Sequence, residues 1–214
     1  MAMQERIYLT PTPVRIWHWL NALGFVTLIA SGAQIRFPDH INIFGTYRAA
    51  VSLHHTAGIV VTISFLLWLF YYAVVAKMLI KLYVPTAEDI KQGVVKQALY
   101  YFFYYFTGTR ENPHHESPTN KFNPMQKGAY VVIMMILVPL IIMTGLILLN
   151  MGPLHNVLVA VGGVRVVAGL HFLLACALTA FIPTHFYLAT LGHTPFAHFK
   201  PMWTGWEEQE HGDH

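Results

Sequence analysis

Four uncharged apolar stretches constrain this chain more than anything else in it: residues 16–33, 49–76, 128–149 and 166–191. Each reaches the ~20 residues that a helix needs to cross the ~30 Å hydrocarbon core of a bilayer. No water is present there to satisfy backbone N–H and C=O groups, so such a segment must pair them internally, as a helix does. Composition points the same way. Of the 214 residues, 55% are hydrophobic and only 11% charged, with mean hydropathy +0.47, whereas ordinary soluble domains carry about 25% charged residues. The expected fold is all-α: an integral membrane four-helix bundle forming a single membrane domain over residues 1–214, with an extra cytoplasmic amphipathic segment at 77–127 and a polar tail at 202–214. Pro139 and Pro183 fall inside spans and read as kinks rather than breaks.

A pI near 9.0 raises the question of nucleic acid, but the basic residues form no face that such a partner would need. They sit beside spans, as the positive-inside rule expects. Lys77, Lys81, Lys91, Lys96, Arg110, Lys121 and Lys127 lie between spans two and three, against Arg36, Arg48 and Arg165 in the other two loops. Both termini and the middle segment are therefore expected on the cytoplasmic side of a bacterial inner membrane. The N-terminus shows no cleavable signal, so the first span is expected to stay in the membrane. Thr86 to Gln97 reads as a short surface helix begun by Thr86, with Glu88 and Asp89 in its first turn. Tyr100 to Phe106 reads either as an interfacial aromatic anchor or as a packed aromatic cluster. The tail is expected to fray or to dock on a partner. Cys176, the single cysteine, reads as a small buried packing residue and leaves no disulfide framework, zinc cluster or iron–sulfur motif.

Histidines break the apolar pattern. His18, His54, His171 and His185 lie within the spans, where an ionisable side chain is costly and usually functional. His171 and His185 share one span, 14 residues apart, which places them on roughly one face and ~21 Å apart along the axis, one towards each leaflet. With the N-terminus inside, span one rises and spans two and four descend. His18 and His185 then share the inner depth, and His54 and His171 the outer. A haem iron takes axial imidazoles from opposite sides, and facing helices of a bundle supply them. The pattern therefore points to two b haems, with His18, His54, His171 and His185 as the axial ligands to iron. His55 competes with His54, because neighbours on a helix point about 100° apart. His54 is favoured because Gly58, one turn on, leaves room beside it; Gly24, Gly32, Gly145 and Gly169 offer similar room elsewhere.

Other residues are candidates for supporting parts. Arg15, one turn before His18, suits a haem propionate near the inner surface, and Arg48 and Arg165 suit one outside; each equally suits a lipid headgroup. His40 and His155 lie in the outer loops, while His114, His115, His193, His198, His211 and His214 are expected to be solvated. Asn123, Gln126 and Lys127 precede span three. Amides there can hydrogen-bond a quinone carbonyl and the lysine can manage charge, although polar residues at a helix start also serve as ordinary caps.

Several motifs together resemble the bacterial two-haem cytochrome b561-like superfamily. They are Arg15-x-x-His18-Trp19 with Ser31-Gly32, His54-His55-Thr-Ala-Gly58, Asn123-x-x-Gln126-Lys127-x-x-Tyr130, and His171 with His185-Phe-Tyr187. That superfamily includes the membrane subunits of formate dehydrogenase, nickel–iron hydrogenase and thiosulfate reductase. The closing stretch from His185 through Trp206-Glu-Glu is most similar to the thiosulfate reductase and formate dehydrogenase gamma group. The resemblance covers all four spans. It implies axial ligands at His18, His54, His171 and His185, and a menaquinone site beside the inner haem. Asn123 matches the asparagine that the formate dehydrogenase subunit uses there, while Met125 stands where that family has a glycine. It further implies a periplasmic partner of iron–sulfur/molybdopterin, hydrogenase or multihaem type.

The expected function is that of a membrane-anchoring di-haem b subunit, exchanging electrons between such a partner and menaquinone or ubiquinone, in contact with membrane lipid and with no nucleic acid. Two rivals are a self-contained transmembrane haem reductase and a histidine-based metal or proton transporter. The absence of Asp and Glu from all four spans weighs against the transporter, whose pathways commonly use carboxylates.

Overall fold

A computed structural model describes residues 5–114, 120, 122–191, 196 and 199–209. Among these, four helices are long and apolar enough to cross a membrane: α1 (Thr12–Arg36), α2 (Tyr47–Val75), α5 (Pro124–Leu149) and α7 (Val164–Ala189). Short helices α3 (Leu79–Tyr83), α6 (His155–Ala160) and α8 (Lys200–Thr204) join them, together with α4 (87–107) and a ribbon of strands β1 (Glu5–Tyr8) and β2 (Trp206–Gln209). Each long helix begins ahead of its uncharged stretch, and side chains cap two of these starts, Thr46 for α2 and Asn123 for α5. At α5 the side chains of Asn123 and Gln126 close a reciprocal capping box ahead of Pro124. The chain remains helical through both prolines. A π-helical turn, Val131–Leu137, lies immediately before Pro139, and a widened turn is one way a helix absorbs a missing N–H donor and the steric bulk of the ring.

By contact the chain divides into two compact units, one of Trp19–Tyr71 and Ile133–Ile182, the other of Met1–His18, Tyr72–Val132 and Pro183–His214. In the first unit a narrow core of Val61, Phe65, Trp68, Val138, Val167, Leu174 and Leu178 is buried. Ile63, Leu66, Leu67 and Leu173 point outward, each more than half exposed. A surface this apolar is stable against lipid rather than water. The same reasoning corrects the expectation for Cys176, which is exposed on α7 rather than buried.

Two features tighten this unit. Gly24 lets α1 approach α2 so closely that an added Cβ would stand 2.5 Å from Cγ2 of Val61, and Asn21 Nδ2 donates to Ser64 Oγ at 2.8 Å. Gln34 organises the turn between α1 and α2: its Oε1 accepts the backbone N–H groups of Ile43 and Phe44 at 3.0 and 2.9 Å. Its Nε2 donates to Asn42 Oδ1 and to the Thr46 carbonyl. Every polar atom of this buried amide is thereby engaged, which is what burial of an amide requires.

In the second unit, α4 begins where the sequence predicts. Thr86 Oγ1 accepts the Asp89 N–H at 3.1 Å and Asp89 Oδ2 accepts the Thr86 N–H at 2.9 Å. The helix then runs past Gln97 to include Tyr100–Phe106. The tyrosines of that aromatic run form a packed cluster, as one of the two readings expects. Tyr100 packs against Tyr101 and Tyr105, while Phe102, Phe103 and Phe106 point outward. Tyr83 is the centre of a ring cluster with Tyr72, Phe122 and Tyr130, at centroid separations of 5.2 to 5.3 Å. The expectation of a fraying tail is corrected over Trp206–Gln209: these residues pair antiparallel with Glu5–Tyr8, in the register Tyr8↔Trp206 to Glu5↔Gln209.

Candidate haem-binding sites

Within the first unit, His54 on α2 faces His171 on α7, with ring centroids 6.3 Å apart and planes at 74°. Both rings lie against glycine. An added Cβ on Gly32 would stand 3.3 Å from Cε1 of His54, and one on Gly145 would stand 3.3 Å from Cε1 of His171. Gly58, which favoured His54 in the sequence, plays no such part; its nearest neighbour is Leu28 at 3.9 Å. His55 is exposed.

Beside each glycine stands a hydroxyl. Ser31 Oγ lies 3.0 Å from Nδ1 of His54 and donates its own hydrogen to the Thr27 carbonyl at 2.6 Å. Thr144 Oγ1 lies 2.9 Å from Nδ1 of His171 and donates to the Leu140 and Ile141 carbonyls at 3.0 Å. A hydroxyl whose one hydrogen is spent can only accept, so Nδ1–H of each ring is the donor. That leaves Nε2 of both rings with a lone pair.

Within the second unit, His18 on α1 faces His185 on α7, again with centroids 6.3 Å apart, at 44°. This spacing is informative. Imidazoles joined by a direct N–H···N bond of about 2.9 Å would bring their centroids to roughly 5 Å. Two imidazoles holding one metal at about 2 Å each would separate them by roughly 6 Å. Among the described residues there is no cluster of three or more His, Cys, Asp or Glu able to hold an ion by itself. A site with two histidines leaves the equatorial positions of a metal to a ligand that the protein does not supply, which is the role of a porphyrin. The residues present therefore fit haem.

The supporting candidates are placed differently from expectation. Arg15 does stand one turn from His18, but its guanidinium donates to the Trp203 carbonyl and, at 2.8 Å, to Thr12 Oγ1. Arg48 and Arg165 are exposed. Asn123 is buried; its Oδ1 accepts the Gln126 N–H at 2.9 Å, its Nδ2 donates to the Tyr101 hydroxyl at 3.1 Å, and Gln126 Oε1 accepts the Asn123 N–H. Lys127 is also buried, with Nζ 3.1 Å from Asp89 Oδ2. These three are thus engaged in a helix cap and an ion pair. His115, His193, His198, His211 and His214 lie outside the described residues; His114 is half-buried in a loop.

Sequence reasoning missed Ser31 and Thr144 as partners of the histidines. A signal was present: a hydroxyl residue followed directly by glycine, Ser31-Gly32 and Thr144-Gly145, occurs once in span one and once in span three.

Apolar membrane helices carrying two facing histidine pairs, each spaced for one metal, describe a membrane cytochrome of the b type. The chain belongs to the prokaryotic cytochrome b561 family, whose model matches residues 9–205, and is accordingly a membrane haem b electron-transfer protein. It is similar to YdhU of Escherichia coli (strain K12), which its name places among the cytochromes: 35% identical over 205 residues, covering 94% of this chain and 75% of YdhU. No solved structure matches the chain.

Proposed function

We propose that this chain binds two b haems, one between His54 and His171 and one between His18 and His185, and carries electrons between a periplasmic redox subunit and the quinone pool. The observation that carries this reading is the equal 6.3 Å spacing of the two pairs. A bound haem supplies an iron that accepts and releases one electron at a time. The protein's part is to hold and orient the imidazoles that would ligate the iron and to surround them with apolar helix. The excess of Lys and Arg between spans two and three supports an inner-membrane placement with both termini in the cytoplasm. His18 and His185 then belong to the cytoplasmic side, where a quinone being reduced would take up protons.

The partner is proposed from the superfamily resemblance: an iron–sulfur/molybdopterin, hydrogenase or multihaem subunit on the periplasmic face. A quinone contact at Asn123, Gln126 and Lys127 rests on the same resemblance, since in this fold their polar atoms are largely engaged.

The test is a dithionite-reduced minus oxidised spectrum with a pyridine haemochrome count on purified protein, repeated for His171→Ala and His185→Ala. Two haems in the parent and one in each variant is the expected result. One haem in the parent, or two retained in either variant, overturns the pairing. No haem in folded protein overturns the whole reading.

A further inference from the structure

The two hydroxyls beside the His54–His171 pair form matched devices on different helices. On α1, Ser31 Oγ sends its hydrogen back to the Thr27 carbonyl, accepts Nδ1–H of His54, and is followed by the glycine against which that ring rests. On α5, Thr144 Oγ1 sends its hydrogen back to the Leu140 carbonyl, accepts Nδ1–H of His171, and is followed by the glycine against which that ring rests. Ser31 is 0% and Thr144 6% exposed, so neither hydroxyl competes with water for its partner. The carbonyl three residues back in each helix, Leu28 and Ile141, also receives the hydroxyl hydrogen. Each Nδ1 thus faces an oxygen whose hydrogen is already committed to a backbone carbonyl.

We propose that Ser31 and Thr144 are positioning residues that fix the tautomer of both axial histidines of one haem and lower its reduction potential. This rests on the two-haem reading above. An axial imidazole that donates its second N–H to an acceptor becomes more basic and a better donor to the metal. A more electron-rich ligand favours the ferric over the ferrous state, which lowers the potential. A hydroxyl already donating to a carbonyl has an oxygen polarised towards accepting. It remains a weaker acceptor than a carboxylate, so the ligand stays a neutral imidazole. The glycines complete the device, since a Cβ at either would push the ring away from its hydroxyl.

The test uses purified full-length haem protein carrying Ser31→Ala, Thr144→Val, both together, and the hydroxyl-retaining Ser31→Thr and Thr144→Ser. Midpoint potentials of the b components are read by spectroelectrochemical titration, and haem is counted per chain. Each hydroxyl-lacking variant is expected to raise the midpoint of the same single component. The double variant should raise it further, leave the other component where it was, and the hydroxyl-retaining variants should return it towards the parent. If Thr144→Val loses that haem while Thr144→Ser keeps it at the parental potential, the hydroxyl is still what matters. Unmoved potentials with both haems retained overturn the proposal, as do equal shifts of both components, shifts of different components by the two residues, or haem loss in Thr144→Ser as well. Parent protein with two haems separates any of these from failure of the two-haem reading, which would show in the parent itself.

Discussion

Lys127 Nζ lies 3.1 Å from Asp89 Oδ2, tying the first turn of α5 to the first turn of α4. The lysine is buried and the aspartate only partly so. Partial burial works against the charged form of Asp89, but the Thr86 backbone N–H and the Lys127 ammonium outweigh it and hold the carboxyl below its ordinary pKa. A carboxyl depressed in the folded state stabilises that state above the unfolded value of about 3.9, and this contribution disappears as pH falls through the folded value. The thermal midpoint of the detergent-solubilised protein should therefore fall as pH drops from about 5 to about 2, and Asp89→Asn should flatten that part of the profile. At neutral pH the substitution should cost about 1 kcal/mol, at the upper end for a partly exposed pair because it leaves the buried ammonium without its anion. Parallel profiles for parent and variant would show that the ion pair carries none of the dependence.

Gly145 and Gly32 make predictions about haem content that differ from those for the ligands themselves. A Cβ at either position would stand 3.3 Å from Cε1 of the facing histidine, tight enough that alanine shifts the ring by a few tenths of an ångström. Gly145→Val adds bulk that such a shift cannot absorb, and overpacking of this kind typically costs 1–3 kcal/mol. The expected haemochrome count is two per chain for Gly145→Ala and one for Gly145→Val, with His171 still present. Two haems in the valine variant would mean that the ring does not depend on this glycine.

The four membrane helices and the facing of the histidines are legible in the sequence for the same reason. A span has a fixed length and alternates direction, so the position of His18, His54, His171 or His185 along its span sets its depth. Which small residue each ring would meet is not legible. Depth picks a level but not a rotation, so Gly58 looks as suitable as Gly32 until α1 and α2 are packed. Lys127 and Arg15 show a second limit. Their partners, Asp89 and the Trp203 carbonyl, are 38 and 188 residues away, and nothing local distinguishes a charge that meets a ligand from one that meets its own chain. The pairing of β1 with β2 is invisible for the same reason: two four-residue strands at opposite ends of the sequence carry no signal of each other.

Gln34 is the residue whose loss should most disturb the turn between α1 and α2. It accepts both the Ile43 and Phe44 amides through one side-chain oxygen, and it is 3% exposed. Gln34→Ala strands both donors, at about 1–3 kcal/mol for each that water cannot reach. Gln34→Glu keeps the acceptor and loses the donation to Asn42 and Thr46. Thermal unfolding should rank the parent above Gln34→Glu and that above Gln34→Ala. Equal midpoints for all three would show that the turn stands without this side chain.

Gly205 gives the sharpest test of the pairing between the chain's two ends. Its φ is +89°, and a Cβ there would stand 2.6 Å from the Tyr8 ring and 2.9 Å from the Thr10 carbonyl. Its own carbonyl accepts the N–H groups of Leu9 and Thr10 at 2.9 and 3.1 Å, between β1 and α1. Gly205→Ala meets both a backbone conformation that costs a side-chain-bearing residue roughly 1–3 kcal/mol and a clash that only movement of β2 can relieve. Local opening that much easier multiplies amide exchange by about tenfold or more, since each 1.4 kcal/mol is a factor of ten. Exchange should accelerate at Leu9 and Thr10 in the alanine variant while amides in the middle of α2 keep the parental rate. Acceleration confined to residues after Gly205 would mean that the N-terminal strand holds its place without β2.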